Sequence, residues 1–297
     1  MDNFKGILLM LVAMAGFTME DLFMKKLSIT LSTGQILITL GIGSSLVFAL
    51  MAKSKGHKLT ANIFWTRGMI IRQFAEGIAA ISFITSLTLI PLSTVASVFQ
   101  ATPLVITMGA ALFLGETVGW RRWLAIFVGL FGVLIIIRPG MNSFDPNVCY
   151  VLVAVLFVTI RDLITRGLPA NVPSTVVSFQ AFASLIIAGV LVIIFDGQKI
   201  VSLENNQIFY VIGGVLFGVI GYYCIVASTR IGEAGVVTPF RYSRLLFAII
   251  IGFFVFNERP DFFTLFGASI VIMTGIYTVW RERISAREKR ANFFKHI

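Results

Sequence analysis

Residues 6–27 read GILLMLVAMAGFTMEDLFMKKL, an apolar run that closes on two acids and two lysines. Gly6–Met19 looks like the core of a secretory leader. No small-residue cleavage site follows, and the next residues are Glu20 and Asp21, so the stretch predicts a retained first membrane span. The same pattern returns 141 residues later, where Ala13, Thr18, Asp21, Leu22 and Leu27 meet Ala154, Thr159, Asp162, Leu163 and Leu168. Lys25 falls opposite Arg166 in that register. Farther along, Glu116 answers Glu258 at an offset of 142 and Gly132 answers Gly275 at 143. Single matches between apolar helices carry little weight, but an ordered set that drifts by two residues points to duplication.

Composition sets the solvent. Hydrophobic residues make up 57% of the 297 and charged residues 13%, against roughly 25% charged in a soluble domain. A soluble globule of this size would lack the polar groups to cover its surface. A helix needs about 20 apolar residues to cross a hydrocarbon core of about 30 Å. Ten runs qualify, at 5–25, 34–52, 68–90, 92–114, 123–138, 148–166, 175–195, 208–229, 234–257 and 262–280. The breaks carry turn or charge signals, among them Ile90-Pro91, Arg138-Pro139-Gly140, Pro169 to Pro173 and Arg259-Pro260-Asp261.

The net charge of +10 sits mostly in the gaps and in the C-terminal segment, as it does at the flanks of membrane helices. A nucleic-acid groove would need a folded basic surface or an aromatic-basic motif, and neither is visible. With the N-terminus in the cytoplasm, fifteen Lys and Arg fall on the cytoplasmic side and five outside. That asymmetry predicts both termini in the cytoplasm and an even number of spans. Each half then holds five spans, an odd number, so the second half is inverted relative to the first. The expected fold is an all-α membrane protein of ten transmembrane helices in two inverted five-helix repeats. Residues 1–140 form the first, 141–282 the second, and 283–297 a basic cytoplasmic tail.

Ionisable groups inside spans are costly and therefore functional candidates. Eight stand out: Glu20, Asp21, Arg72, Glu76, Arg161, Asp162, Arg241 and Arg244, four acids and four bases. The equality suggests internal pairing. Arg72 and Glu76 lie four apart on one helical face, as a self-neutralising pair or as cargo contacts. Glu20, Asp21, Arg161 and Asp162 lie near span ends, where they would cap helices, gate a pathway or carry a proton. The segment around Pro239-Phe240-Arg241-Tyr242-Ser243-Arg244 offers two guanidiniums suited to carboxylate or phosphate, Tyr242 to hydrogen-bond and Phe240 to stack. Its structural alternative pairs both arginines with Glu76 and Asp162. The counterpart in span 4 carries Gln100 and Pro103, so Pro103 and Pro239 break corresponding spans. The spacing of Gly213, Gly214, Gly218 and Gly221 predicts close helix approach, within the chain or in a homodimer. Cys149 and Cys224 read as buried small hydrophobes, and His57 and His296 as solvated. No metal spacing, phosphate loop, cofactor motif or catalytic triad is present, so no catalytic residue, metal or cofactor is expected.

Ten spans in two halves resemble the drug/metabolite transporter superfamily, specifically its EamA-type members. The matching pieces are Leu89-Ile90-Pro91-Leu92-Ser93-Thr94-Val95-Ala96, Phe113-Leu114-Gly115-Glu116, and Arg241-Tyr242-Ser243-Arg244 leading to Phe256-Asn257-Glu258-Arg259-Pro260-Asp261. The likeness covers nearly the whole chain except the basic tail. It implies a cavity between spans 1–4 and 6–9, with spans 5 and 10 peripheral, and Glu116 and Glu258 as structural caps. It also implies an inner-membrane secondary carrier that moves a small polar organic metabolite by alternating access. The cargo would be amino-acid-like, nucleoside-like or a vitamin, carrying a carboxylate or phosphate. Uptake of riboflavin or S-adenosylmethionine is the alternative within the family. A non-transporting scaffold and a membrane-embedded enzyme are the alternatives outside it. The partners expected are the small-molecule substrate and the bilayer, with no nucleic acid.

Overall fold

The computed structural model describes residues 2–295 except 60–64, 117, 142–143, 168–171, 198 and 233; side chains are further omitted at 166, 229–230, 234–235, 282–283 and 285–295. Leu168, part of the Pro169 to Pro173 break and His296 therefore lie outside the described residues, as does the side chain of Arg166.

Ten helical spans are long and apolar enough to cross a membrane among the described residues. The first half comprises α1 (Asn3–Leu27), α2 (Thr33–Ser54), α3 (Arg67–Leu89), a fourth span split into α4 (Leu92–Phe99) and α5 (Thr102–Phe113), and α6 (Trp120–Ile137). The second comprises α7 (Val148–Arg166), α8 (Ser174–Asp196), α9 (Asn205–Ile231), a ninth span split into α10 (Ala234–Val237), a 3-10 turn (Thr238–Tyr242) and α11 (Ser243–Phe256), and α12 (Phe262–Lys295). Side chains close several N-termini: Ser32 accepts from the Gln35 N–H, Thr66 from that of Met69, and Glu204 forms a capping box with Gln207. The tail expected at 283–297 continues α12 without a break as far as Lys295.

Spans 4 and 9 break at equivalent places although their prolines do not correspond. The first break falls at Gln100-Ala101 and the second ends at Arg241-Tyr242, the same pair shifted by 141. Proline lacks an N–H and crowds the preceding turn; Pro103 opens α5 just past the first break, whereas Pro239 opens the 3-10 turn that forms the second.

The packing respects the duplication. Span 1 lies against span 8 and span 3 against span 6, while spans 2 and 7, 4 and 9, and 5 and 10 pair with each other. Exchanging the two halves turns the first contact into the second and leaves the other three unchanged. That is the pattern of two five-helix units about a pseudo-two-fold axis. Small residues let the halves touch. A Cβ added at Gly34 would lie 2.7 Å from the Gly189 carbonyl oxygen, and one at Gly189 2.5 Å from that of Gly34. The glycine stripe of span 8 is likewise filled from within: Phe23 rests on Gly213, Glu20 on Gly218 and Phe17 on Gly221, all from α1. Large apolar side chains such as Phe74, Phe195 and Phe254 point outward, as lipid-facing residues do.

The end of the bundle opposite the start of α1 is locked by Glu258. Its carboxylate accepts from the N–H of Leu92 at 2.7 Å, the N–H of Ser93 at 2.9 Å and the Ser93 hydroxyl at 2.8 Å. Lys25 Nζ lies 3.1 Å away and also donates to the Ile90 carbonyl at 2.8 Å. A second-half acid thus caps a first-half helix. Burial pushes the Glu258 carboxyl up, but the Ser93 N–H, the Lys25 ammonium and the Leu92 N–H outweigh it and hold the group below its usual range. Replacing Glu258 by Gln is expected to destabilise the protein by about 1–3 kcal/mol, read as a lower melting temperature in detergent at neutral pH. A depressed carboxylate stabilises above its unfolded pKa, and that stabilisation is lost as pH falls through the folded value. The gap between wild type and variant should therefore close in acid; equal melting at neutral pH would refute the capping role.

Two minor expectations change. His57 is half-buried and shares a 3.0 Å hydrogen bond with Thr175 Oγ1, because the turn that follows α2 lies against the start of α8. Cys149 is exposed, since it opens α7 on an outward face, whereas Cys224 is buried as expected.

Candidate functional site

A cavity of about 460 Å³ opens between spans 1–4 and 6–9, and spans 5 and 10 contribute nothing to its wall. All eight intramembrane ionisable residues line it, together with Gln100 and Pro103. Helices that never adjoin in sequence are brought together by the 1–8, 3–6 and 4–9 contacts. Glu20, Asp21, Arg161 and Asp162 therefore face a shared interior rather than headgroups.

Six of the eight charges neutralise one another. Arg244 forks onto Asp21, with Nη2 2.7 and 2.9 Å from the two carboxylate oxygens and Nε 3.2 Å from one of them. Its guanidinium also lies over the rings of Phe17, Phe83 and Phe99, at 5.5, 5.7 and 5.5 Å from their centroids. Arg161 donates to Glu76 at 2.9 Å and to Asp162 at 2.8 Å. Arg72 donates to Thr165 at 2.8 Å and approaches Glu76 at 3.7 Å. The Arg72–Glu76 pair is thus not self-contained: Glu76 is held more closely by Arg161, from a different helix. Nor do Arg241 and Arg244 pair with Glu76 and Asp162; Arg161 takes both acids and Arg244 takes Asp21.

Glu20 and Arg241 are left, each half-buried and each without an ion pair among the described residues. The nearest opposite charges, Arg244 beside Glu20 and Asp162 beside Arg241, are committed to closer partners, so the fold keeps one acid and one base without an ion pair of its own. Arg241 is presented by the 3-10 turn, whose backbone Gln100 steadies by donating to the Arg241 and Tyr242 carbonyls at 3.4 and 3.3 Å.

Three residues named from the sequence lie elsewhere. Tyr242 is buried away from the cavity with its hydroxyl against Gly275. Phe240 packs on the cluster of Met10, Ala13 and Met14. Pro239 shapes the turn without lining the cavity. The sequence does not single out Phe17, Phe83 and Phe99, for phenylalanine is so common in this chain that no single one draws notice. The link from Gln100 to Arg241 did have a signal, since the two are 141 apart, the register of the repeat.

The model of the EamA-like transporter family matches residues 4–138 and again residues 146–281, once for each half. An S-adenosylmethionine uptake transporter of Rickettsia prowazekii is 27% identical over 213 residues, covering 70% of each chain. A riboflavin transporter of Vibrio cholerae is 27% identical over 199 residues, covering 65% of this chain and 64% of the other. A pseudopaline exporter of Pseudomonas aeruginosa is 22% identical over 91% of this chain and 94% of its own. A crystal structure superposes with a TM-score of 0.61 at 16% identity, covering 94% of this chain and 98% of the other, which shows the shared fold. This is a membrane transporter of small metabolites. One family model fitting twice, over halves whose charges converge on a common cavity, shows that the chain belongs to the EamA-like transporter family.

Proposed function

We propose that the chain is a secondary carrier of a small polar organic metabolite whose carboxylate or phosphate is held by Arg241. The observation behind this reading is that Arg241, alone of the four cavity arginines, has no carboxylate partner among the described residues. A planar guanidinium suits a carboxylate or phosphate, and about 460 Å³ is room for a small organic molecule. The two inverted halves exchange conformations and open the cavity to alternate sides. The carrier sits in a bacterial inner membrane with both termini in the cytoplasm, following the asymmetry of Lys and Arg, and performs no catalysis. Among the cargoes named for its relatives, S-adenosylmethionine suits a cavity lined by eight ionisable groups. Riboflavin, uncharged at neutral pH, suits it less.

The test is counterflow of labelled metabolites in liposomes containing the purified protein, across amino acids, S-adenosylmethionine, nucleosides, nucleotides and riboflavin. Saturable exchange of an anionic or zwitterionic cargo is expected. Non-saturable leak would make the protein a channel, and no exchange across the panel would make it a scaffold.

A further inference from the structure

We infer that Glu20 is the second pole of the cargo site, so that the cargo is a zwitterion: its anionic group meets Arg241 and its cationic group, an ammonium or sulfonium, meets Glu20. This rests on the Arg241 reading above and adds a chemical class to it.

The cavity holds four acids and four bases. Once Asp21–Arg244 and the Arg72, Glu76, Arg161 and Asp162 cluster are set aside, one acid and one base remain. A purely anionic cargo would meet Arg241 and leave Glu20 without a partner of its own in the closed interior, at a cost that grows as water leaves. A zwitterion compensates both and adds no net charge to the site that must reorient.

The surroundings of Glu20 leave it little else to bind. The charged groups near it are Asp21, on the same helix, and Arg244. Arg244 is committed to both oxygens of Asp21 and boxed by three phenylalanine rings. On the side of α9, the Glu20 carboxylate rests on Gly218, where an added Cβ would lie 2.6 Å from Oε1. The absence of a side chain at 218 is what gives the carboxylate its place. Phe182 and Tyr222 line the same cavity, so the body of the cargo between the poles meets aromatic surface.

The poles also break the symmetry of the fold. Asp21 and Asp162 correspond across the repeat, but Glu20 corresponds to Arg161 and Arg241 to Gln100. Duplication alone would not leave one unpaired acid and one unpaired base, and a cargo with two unlike ends calls for that asymmetry.

The experiment combines ligand-induced thermal shift and counterflow on wild type, Glu20→Gln, Gly218→Ala and Arg241→Gln. The probes are free amino acids as zwitterions, S-adenosylmethionine as a zwitterionic head with one further positive charge on its sulfonium, a nucleoside monophosphate and a dicarboxylate as anions, and riboflavin as the uncharged control. Exchange should be confined to a zwitterion, with binding about tenfold to a hundredfold weaker in Glu20→Gln. Gly218→Ala keeps every charge but displaces the carboxylate, and should weaken the same probe; size-exclusion profiles check that each variant is folded. Exchange of an anion that needs Arg241 and ignores Glu20 would overturn the zwitterion inference and leave the Arg241 reading standing. Zwitterion exchange indifferent to Arg241 would overturn both. Wild-type binding by Glu20→Gln, with loss only of the response to a pH gradient, would make Glu20 a proton carrier and also overturn the inference.

Discussion

Replacing Asp21 by Asn is expected to cost the folded protein about 3–5 kcal/mol, seen as a large drop in melting temperature and in yield of folded protein. Asp21 is 2% exposed and is the only ion-pair partner of Arg244 among the described residues. Without it the guanidinium stays buried among Phe17, Phe83 and Phe99 with no counter-charge. The rings attract the cation but do not replace a bidentate carboxylate. Arg244→Gln should be comparably harmful, since it strands the carboxylate instead. The double variant Asp21→Asn with Arg244→Gln removes both charges and should recover much of the loss. Melting of Asp21→Asn like wild type, or a double variant no better than the singles, would show that the pair does not hold spans 1 and 9 together.

The spans, their number and their duplication were legible in the sequence because membrane helices are written as long apolar runs. Even the split of span 9 was signalled by Pro239, and that of span 4 by Pro103. The pairing of the charges was not legible. Asp21 and Arg244 are 223 residues apart, and their meeting depends on which helices adjoin across the two-fold, which hydropathy does not encode. Adjacent residues illustrate the limit. Glu20 and Asp21 look equivalent in the sequence, yet a turn of about 100° per residue sends Asp21 to Arg244 and Glu20 to Gly218. Likewise Arg241 and Arg244 read as a matched pair on one face, while the 3-10 geometry of Thr238–Tyr242 gives them different surroundings. Tyr242 was drawn into the site by its neighbours in sequence, and that same turn carries it to Gly275.

Arg241→Gln is the opposite case, with a large expected effect on transport and little on the fold. The Arg241 guanidinium makes no ion pair among the described residues, and Gln100 steadies its turn through backbone carbonyls that the substitution leaves in place. Loss of a charge-assisted contact to cargo lowers affinity about tenfold to a hundredfold, and a guanidinium that completes the closed state would add to that loss in rate. Lysine at 241 keeps the charge without the planar fork and should restore part of the activity. The most direct measurement is counterflow and melting on the same preparations of wild type, Arg241→Gln and Arg244→Gln, using the cargo found in the metabolite panel. Arg241→Gln should melt no lower than wild type and exchange cargo at least about tenfold more slowly, whereas Arg244→Gln should lose stability first. Wild-type exchange by Arg241→Gln, or its collapse in the melt alongside Arg244→Gln, would contradict the division of the cavity's charges into a structural set and a cargo-binding pole.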